Sequence, residues 1–245
     1  MQLGQHAPGN DLIMLHGWGH TLEMLRPLGE LLSEHYKVHL LDLPGFGGTA
    51  MPAEPWGTVD YAHAILSYME EKGLQFPFFL GHSFGGKISI HIAASAPGRV
   101  KRLVLINSSG LRNIPSRQRQ AKMLAIKFLR TVVKNYDSAF KTNLFEEWFI
   151  PRFASPDYKN AGRLRQTFVK VVNEDLSEDA RKISCPALLL WGAKDTETPV
   201  TVGEQLAALI SSARLIVLPG KGHVPFLDAG AHLCMYYIKP FLDEA

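Results

Sequence analysis

The sequence predicts an α/β architecture: a mostly parallel central sheet flanked by helices, carrying one helical cap insertion. Three observations predict it. Short apolar runs closed by turn residues recur at Leu12 to Leu15, Val38 to Leu41, Phe78 to Leu80, Leu103 to Ile106, Ala187 to Trp191 and Leu215 to Leu218, and such runs read as strands buried on both faces. Helix-like stretches at Leu22 to Glu34, Val59 to Lys72, Lys87 to Ala96 and Val202 to Ile210 alternate with them, and strands joined through helices lie parallel. From about Leu111 to Ile183 the rhythm breaks into amphipathic helical pattern punctuated by Pro115, Pro151 and Pro156, with no buried-strand run.

A chain of 245 residues, 46% hydrophobic and 20% charged, is long enough to bury a full core as one domain. The expected organisation is a core from residues 1–110 and 184–245 with a cap, or lid, at 111–183. A formal net charge of +3, with no basic tract interleaved with aromatics, argues against a nucleic-acid partner. Cys185 and Cys234 form no Cys-x-x-Cys pair and read as buried free thiols rather than a disulfide framework or a zinc site. Without a His-Glu-x-x-His or other clustered ligand spacing, no metal or cofactor is expected. The opening MQLGQHAPGN lacks a signal pattern, and no apolar run approaches the roughly 18 residues of a membrane span; the expectation is a cytoplasmic protein.

Chemistry gathers where the strands of such a sheet end. The first run ends in His16-Gly17-Trp18-Gly19. The third ends in Gly81-His82-Ser83-Phe84-Gly85-Gly86 ahead of a helical pattern beginning near Lys87, the strand, sharp turn and helix of a Gly-x-Ser-x-Gly nucleophile elbow. Small residues at 81 and 85 suit a strained turn and a closely packed helix, and the helix N-terminus favours developing negative charge. Gly81 to Lys87 also spells the start of a phosphate-binding loop, but Ile88 stands where that motif requires a Ser or Thr for magnesium.

A serine hydroxyl becomes a nucleophile when a histidine takes its proton and a carboxylate fixes that histidine's tautomer. The fifth run ends in Gly192-Ala193-Lys194-Asp195 and the sixth in Pro219-Gly220-Lys221-Gly222-His223. The expected catalytic residues are Ser83 as nucleophile, His223 as base and Asp195 as orienting acid, with Glu197 the nearest competitor for the acid. Seven other histidines, His6, His20, His35, His39, His63, His91 and His232, sit in helical, edge or terminal contexts suited to surface or core, and His16 reads as bracing its loop. Acyl transfer also needs backbone N–H groups aimed at an oxyanion: one after the nucleophile, at Phe84, and one from the loop after an early strand, at Trp18. Trp18, Phe84 and Phe149 are the expected substrate-binding residues.

With His16 to Gly19, Asp42-Leu43-Pro44-Gly45-Phe46-Gly47, Gly81 to Gly86, Gly192 to Asp195 and Gly222-His223 in place, the chain resembles the α/β-hydrolase superfamily along nearly its whole length. Within it the wording is similar to small capped carboxylesterases, including the pimeloyl-ACP methyl ester esterases, with Pro225-Phe226 after the histidine. It departs from them at Gly48-Thr49, where a serine is usual, and in a short chain before the first buried strand. The resemblance implies hydrolysis of carboxylic esters through an acyl-enzyme, on apolar short- to medium-chain acyl or aryl esters. Alternatives are an esterase specific for acyl-carrier-bound methyl esters, a carbon-carbon bond hydrolase of ring-cleavage products, and a non-catalytic binding protein on the same fold. A serine at the elbow sets the chain apart from related dehalogenases and epoxide hydrolases, which carry aspartate there.

Between Arg112 and Lys141 the basic residues are Arg112, Arg117, Arg119, Lys122, Lys127, Arg130, Lys134 and Lys141, against the single acid Asp137. Helical spacing puts Lys127, Arg130, Lys134 and Lys141 on one face and Ala125, Phe128, Val132 and Tyr136 on another. This basic face is either solvated or the docking site of an acidic carrier protein or anionic substrate. Phe140, Phe145, Trp148, Phe149 and Phe153 line an acyl pocket or pack the cap.

Overall fold

A computed structural model describes residues 1–5, 9–112 and 117–244, without the side chains of residues 117–120. His6 and Pro115, and the side chains of Arg117 and Arg119, therefore lie outside the described residues. Among those described, the strands β1 (Gln2–Leu3), β2 (Asp11–Leu15), β3 (Lys37–Leu41), β4 (Phe78–His82), β5 (Leu103–Ile106), β6 (Ala187–Gly192) and β7 (Ala213–Leu218) form one sheet in the order β1-β3-β2-β4-β5-β6-β7. All neighbours pair parallel except β1, which is antiparallel to β3.

The helices are α1 (Arg26–Leu32), α2 (Thr58–Glu71), α3 (Phe84–Ser95), α4 (Arg117–Phe140), α5 (Ile150–Phe153), α6 (Pro156–Asn160), α7 (Arg165–Asn173), α8 (Ser177–Lys182), α9 (Val200–Leu209) and α10 (Gly230–Asp243). Chain order runs outward from β2 to β3 and then returns to β4 on the other side of β2. The carboxyl ends of β2 and β4 therefore flank a topological switch point, where a crevice opens in sheets of this kind.

The central strands β2, β4, β5 and β6 are almost wholly buried, as continuous apolar runs require. β7 corrects the expectation of two buried faces: only Leu218 is fully buried and Val217 is exposed, because β7 is an edge strand of the sheet. Leu22 to Glu34 divides into a 3₁₀ turn at Leu22–Met24 and α1, with Pro27 in the first turn of α1, a position where the missing N–H costs nothing. α3 starts at Phe84 rather than near Lys87. Glycines at 85 and 86 conceal a helix from propensity, and tertiary packing overrides it. Cys234 is buried and Cys185 only partly so, and burial pushes both thiols up, to about 12 and about 11.

The chain divides into two compact units, residues 1–112 with 173–245, and residues 113–172. Residues 173–183, assigned to the insertion by their helical pattern, group with the sheet unit, where Leu176 N–H donates to the Gly110 carbonyl at 2.8 Å and α8 packs on α3. Within the smaller unit, α4 buries Val133, with Ile126 and Leu129 beside it, against Phe145, Trp148, Phe149 and Ile150. The apolar row of Ala125, Phe128, Val132 and Tyr136 is exposed, with Phe128 73% accessible and Val132 and Tyr136 also open. Apolar residues cover more than half of this helix's circumference, so periodicity does not choose which part is buried. Lys141 lies past the end of α4 with φ of 53°, and so leaves the face shared by Lys127, Arg130 and Lys134. Asp137 accepts the N–H groups of Leu144 and Phe145 and the Thr142 hydroxyl, capping the turn that follows. No helix among the described residues is long and apolar enough to cross a membrane.

Candidate active site

Ser83 stands between the last residue of β4 and the first of α3 with φ of 50° and ψ of −110°, a conformation that L-residues adopt at a cost of about 1 to 3 kcal/mol. The surroundings impose it. A Cβ on Gly81 would come within 2.5 Å of the Gly85 carbonyl oxygen, and one on Gly85 within 2.1 Å of the Leu15 carbonyl oxygen. The helix can thus start directly under the strand only with glycine at both positions. Ser83 N–H donates to the Ile106 carbonyl and the Ser83 carbonyl accepts the Lys87 N–H. Phe84 is then in the first turn, where a helix leaves its N–H groups without intrahelical partners.

Lys87, the lysine of the phosphate-loop spelling, is buried, and its Nζ donates to the Glu174 carbonyl at 2.9 Å; burial lowers it to about 8. It points into the protein's own backbone, not toward a phosphate cradle.

The loop after β2 lies beside this turn. Trp18 meets Phe84 at 5.5 Å and Phe46 at 5.0 Å between ring centroids, both edge-to-face. His16 is wholly buried: its Nδ1–H donates to the Gly17 carbonyl at 2.8 Å while Nε2 accepts the Leu43 N–H at 3.0 Å. Burial keeps its pKa below the ordinary histidine value, so a neutral ring ties the β2 and β3 loops together. The β3 loop is braced in turn by Asp42, which accepts the Leu22 and Gly48 N–H groups, and by the Thr49 hydroxyl, which donates to the Asp42 carbonyl. Thr49 thereby supplies a hydroxyl that braces this loop.

Asp195 and His223, on the loops after β6 and β7, are in contact: Nδ1 of His223 lies 2.9 Å from Oδ2 of Asp195. Asp195 Oδ1 accepts the backbone N–H groups of Glu197 and Thr198, and Oδ2 accepts the Thr198 hydroxyl and the Asn107 amide. Burial pushes the Asp195 pKa up, but these hydrogen bonds from His223, Thr198 and Asn107 outweigh it and hold the carboxyl well below the usual range. A carboxylate that only accepts obliges His223 to carry its proton on Nδ1, leaving Nε2 as the basic nitrogen. Glu197, the competing acid, approaches the other nitrogen: its Oε2 is 3.4 Å from Nε2, on a largely exposed side chain.

Two residues of this cluster were missed from the sequence. Asn107 follows β5 at φ of 44°. Its amide oxygen accepts the Gly192 N–H, and its amide nitrogen reaches Asp195. Asn directly after an apolar strand is the available signal, since it tolerates left-handed backbone better than most residues. Thr198 closes a turn with Asp195 before Pro199, which leads into α9; the Asp-x-x-Thr-Pro spelling carries that signal. Phe149 is a correction. It is 4% exposed within the smaller unit, stacked on Phe145 at 5.3 Å, and is part of that unit's core rather than a surface open to substrate.

A strained serine at a strand-to-helix turn, with a histidine-carboxylate pair on later strand ends of the same parallel sheet, defines a hydrolase. The chain belongs to the alpha/beta hydrolase fold family, whose family model matches residues 11–230. It is similar to a pimeloyl-[acyl-carrier protein] methyl ester esterase of Chromobacterium violaceum, 32% identical over 247 residues covering 92% of this chain and 91% of that one. It is also similar to the protein of the same name from Vibrio campbellii, at 29% identity over 93% and 92% of the two chains. Among solved structures, the enol-lactonase from Burkholderia xenovorans LB400 shares the fold with a TM-score of 0.73 at 22% identity, over 100% of this chain and 95% of that one.

Proposed function

We propose that this hydrolase is a serine carboxylesterase acting through an acyl-enzyme. The Ser83 hydroxyl attacks the ester carbon and passes its proton to Nε2 of His223, while Asp195 stabilises the imidazolium through Nδ1. The N–H groups of Phe84 and Trp18 receive the oxyanion. Collapse returns the proton to the departing alcohol, and water then repeats the sequence to release the acid. The observation that carries this reading is the 2.9 Å contact between His223 and Asp195, on loops of the sheet that also presents the strained Ser83. Relatives named as esterases support ester substrates. The test is a series of p-nitrophenyl esters from acetate to octanoate with fluorophosphonate labelling: turnover with label on Ser83 alone is expected. Label elsewhere, or none, would remove the assignment, and faster turnover of a ring-cleavage diketone than of any ester would move it to carbon-carbon hydrolysis.

The finer reading is a carrier-bound ester as substrate. It is supported by the exposed Lys127, Arg130 and Lys134, whose neighbour Asp137 is engaged in capping, and by the carrier-ester names of the relatives. Attraction between exposed charges is screened as the Debye length falls from about 10 Å at 0.1 M salt to about 3 Å at 1 M. Lys127→Glu with Arg130→Glu should therefore raise KM for an ester on an acidic carrier protein by on the order of tenfold at low salt and lose that effect at high salt. Free p-nitrophenyl esters should be unaffected. Equal effects on both substrates would mean a destabilised unit, and no effect on either a merely solvated face.

A further inference from the structure

His82, the variable residue of the elbow, is wholly buried and lies between the loop that carries His223 and the loop after β2. Its Nε2 lies 2.9 Å from the backbone carbonyl oxygen of His223, and its ring centroid is 4.9 Å from that of His223 and 5.0 Å from that of Phe226. On the opposite edge, a Cβ at Gly17 would come within 2.9 Å of His82 Nδ1 and 3.2 Å of the Ser83 Cβ. The ring thus fills the space between the ends of β2, β4 and β7.

The tautomer follows from the contacts. A carbonyl only accepts, so Nε2 carries the proton, and Nδ1 keeps its lone pair. A second proton would make Nδ1 a buried donor, and that atom has no hydrogen-bond partner among the described residues. Burial, followed by the nearby His223, lowers the ring's pKa to about 3. A permanently neutral ring adds no charge beside the imidazolium that forms on His223. It also couples the nucleophile's strand directly to the backbone of the base.

We propose that His82 is a positioning residue for the ester hydrolysis put forward above, holding His223 in register with Ser83 through its Nε2–H. The alternative is that His82 only fills volume. Glutamine and asparagine separate the two, because a Gln amide nitrogen occupies the place of Nε2 and an Asn amide nitrogen that of Nδ1. Both are polar, and both are smaller than the ring.

The experiment compares kcat and KM for p-nitrophenyl butyrate in His82→Gln, His82→Asn and His82→Met, per active site titrated to completion with a fluorophosphonate. His82→Gln should stay within about threefold of the unaltered protein. His82→Asn and His82→Met should lose kcat by on the order of 30-fold to 100-fold, as expected when a catalytic group is displaced by about an ångström, with KM within twofold. Equal kcat losses in all three variants, no loss in any, or a change confined to KM would overturn the proposal. The underlying reading is checked separately in the unaltered protein. Absence of label on Ser83 would overturn that reading and this one with it, whereas label on Ser83 with equal losses would overturn the role of His82 alone.

Discussion

Ser83→Ala is expected to lower kcat for short acyl esters by at least about 10³ to 10⁴, because the three residues of such a triad act as a unit and what survives is binding and oxyanion stabilisation. A variant within tenfold of the unaltered enzyme would end the assignment. Stability separates loss of chemistry from loss of fold. Alanine keeps the Cβ, and with it the strain at φ of 50°, so its melting temperature should be nearly unchanged. Ser83→Gly removes the Cβ and should relieve about 1 kcal/mol of that strain. For a chain of this size this corresponds to a rise of roughly 2 to 4 °C in Tm. An inactive Ser83→Gly that melts higher than the active enzyme would show strain maintained for the serine's sake; one that melts lower would place the origin of the strained turn elsewhere.

Asp195→Asn should be nearly as damaging, on the order of 10³-fold to 10⁴-fold in kcat, with the fold retained. Four donors besides His223 converge on this carboxylate: the Glu197 and Thr198 N–H groups, the Thr198 hydroxyl and the Asn107 amide. An asparagine must turn its own NH₂ either toward some of these donors or toward His223. The latter moves the imidazole proton to Nε2, where it blocks acceptance of the serine proton. Glu197→Gln should cost no more than a few fold, since the Glu197 side chain is largely exposed and its 3.4 Å approach is to Nε2 rather than to the Nδ1 that an orienting acid must hold. The reverse pattern, with Glu197→Gln crippling and Asp195→Asn mild, would transfer the acid role. The folded pKa of Asp195 lies below its unfolded value, so its contribution to stability is fully present above the unfolded value near ~3.9 and lost as pH falls through the lower folded one. The support under His223 should therefore stay constant across neutral pH, and a loss of stability near pH 7 that disappears in Asp195→Asn would contradict this.

The strand runs and the residues at their ends were legible in the sequence because they are local statements. Short runs of consecutive apolar residues closed by turn residues mark strands, and glycine at 81 answers contacts made within one strand-turn-helix segment, whereas the close approach at Gly85 is to the Leu15 carbonyl on β2. Ser83, Asp195 and His223 could be nominated because each directly follows such a strand, and the order of strands in a parallel sheet puts their carboxyl ends on one side. Tertiary structure decided what depends on partners distant in the chain. Asn107 meets Asp195 across 88 residues and His82 meets the His223 carbonyl across 141, and nothing in the local wording of either residue names its partner. The same holds in the insertion, where α4 offers apolar residues on two sides and the face carrying Val133, rather than that carrying Phe128, is buried. Periodicity states that a helix has an apolar side; which side is covered depends on the aromatic residues from Phe145 to Phe149 that the chain folds back against it.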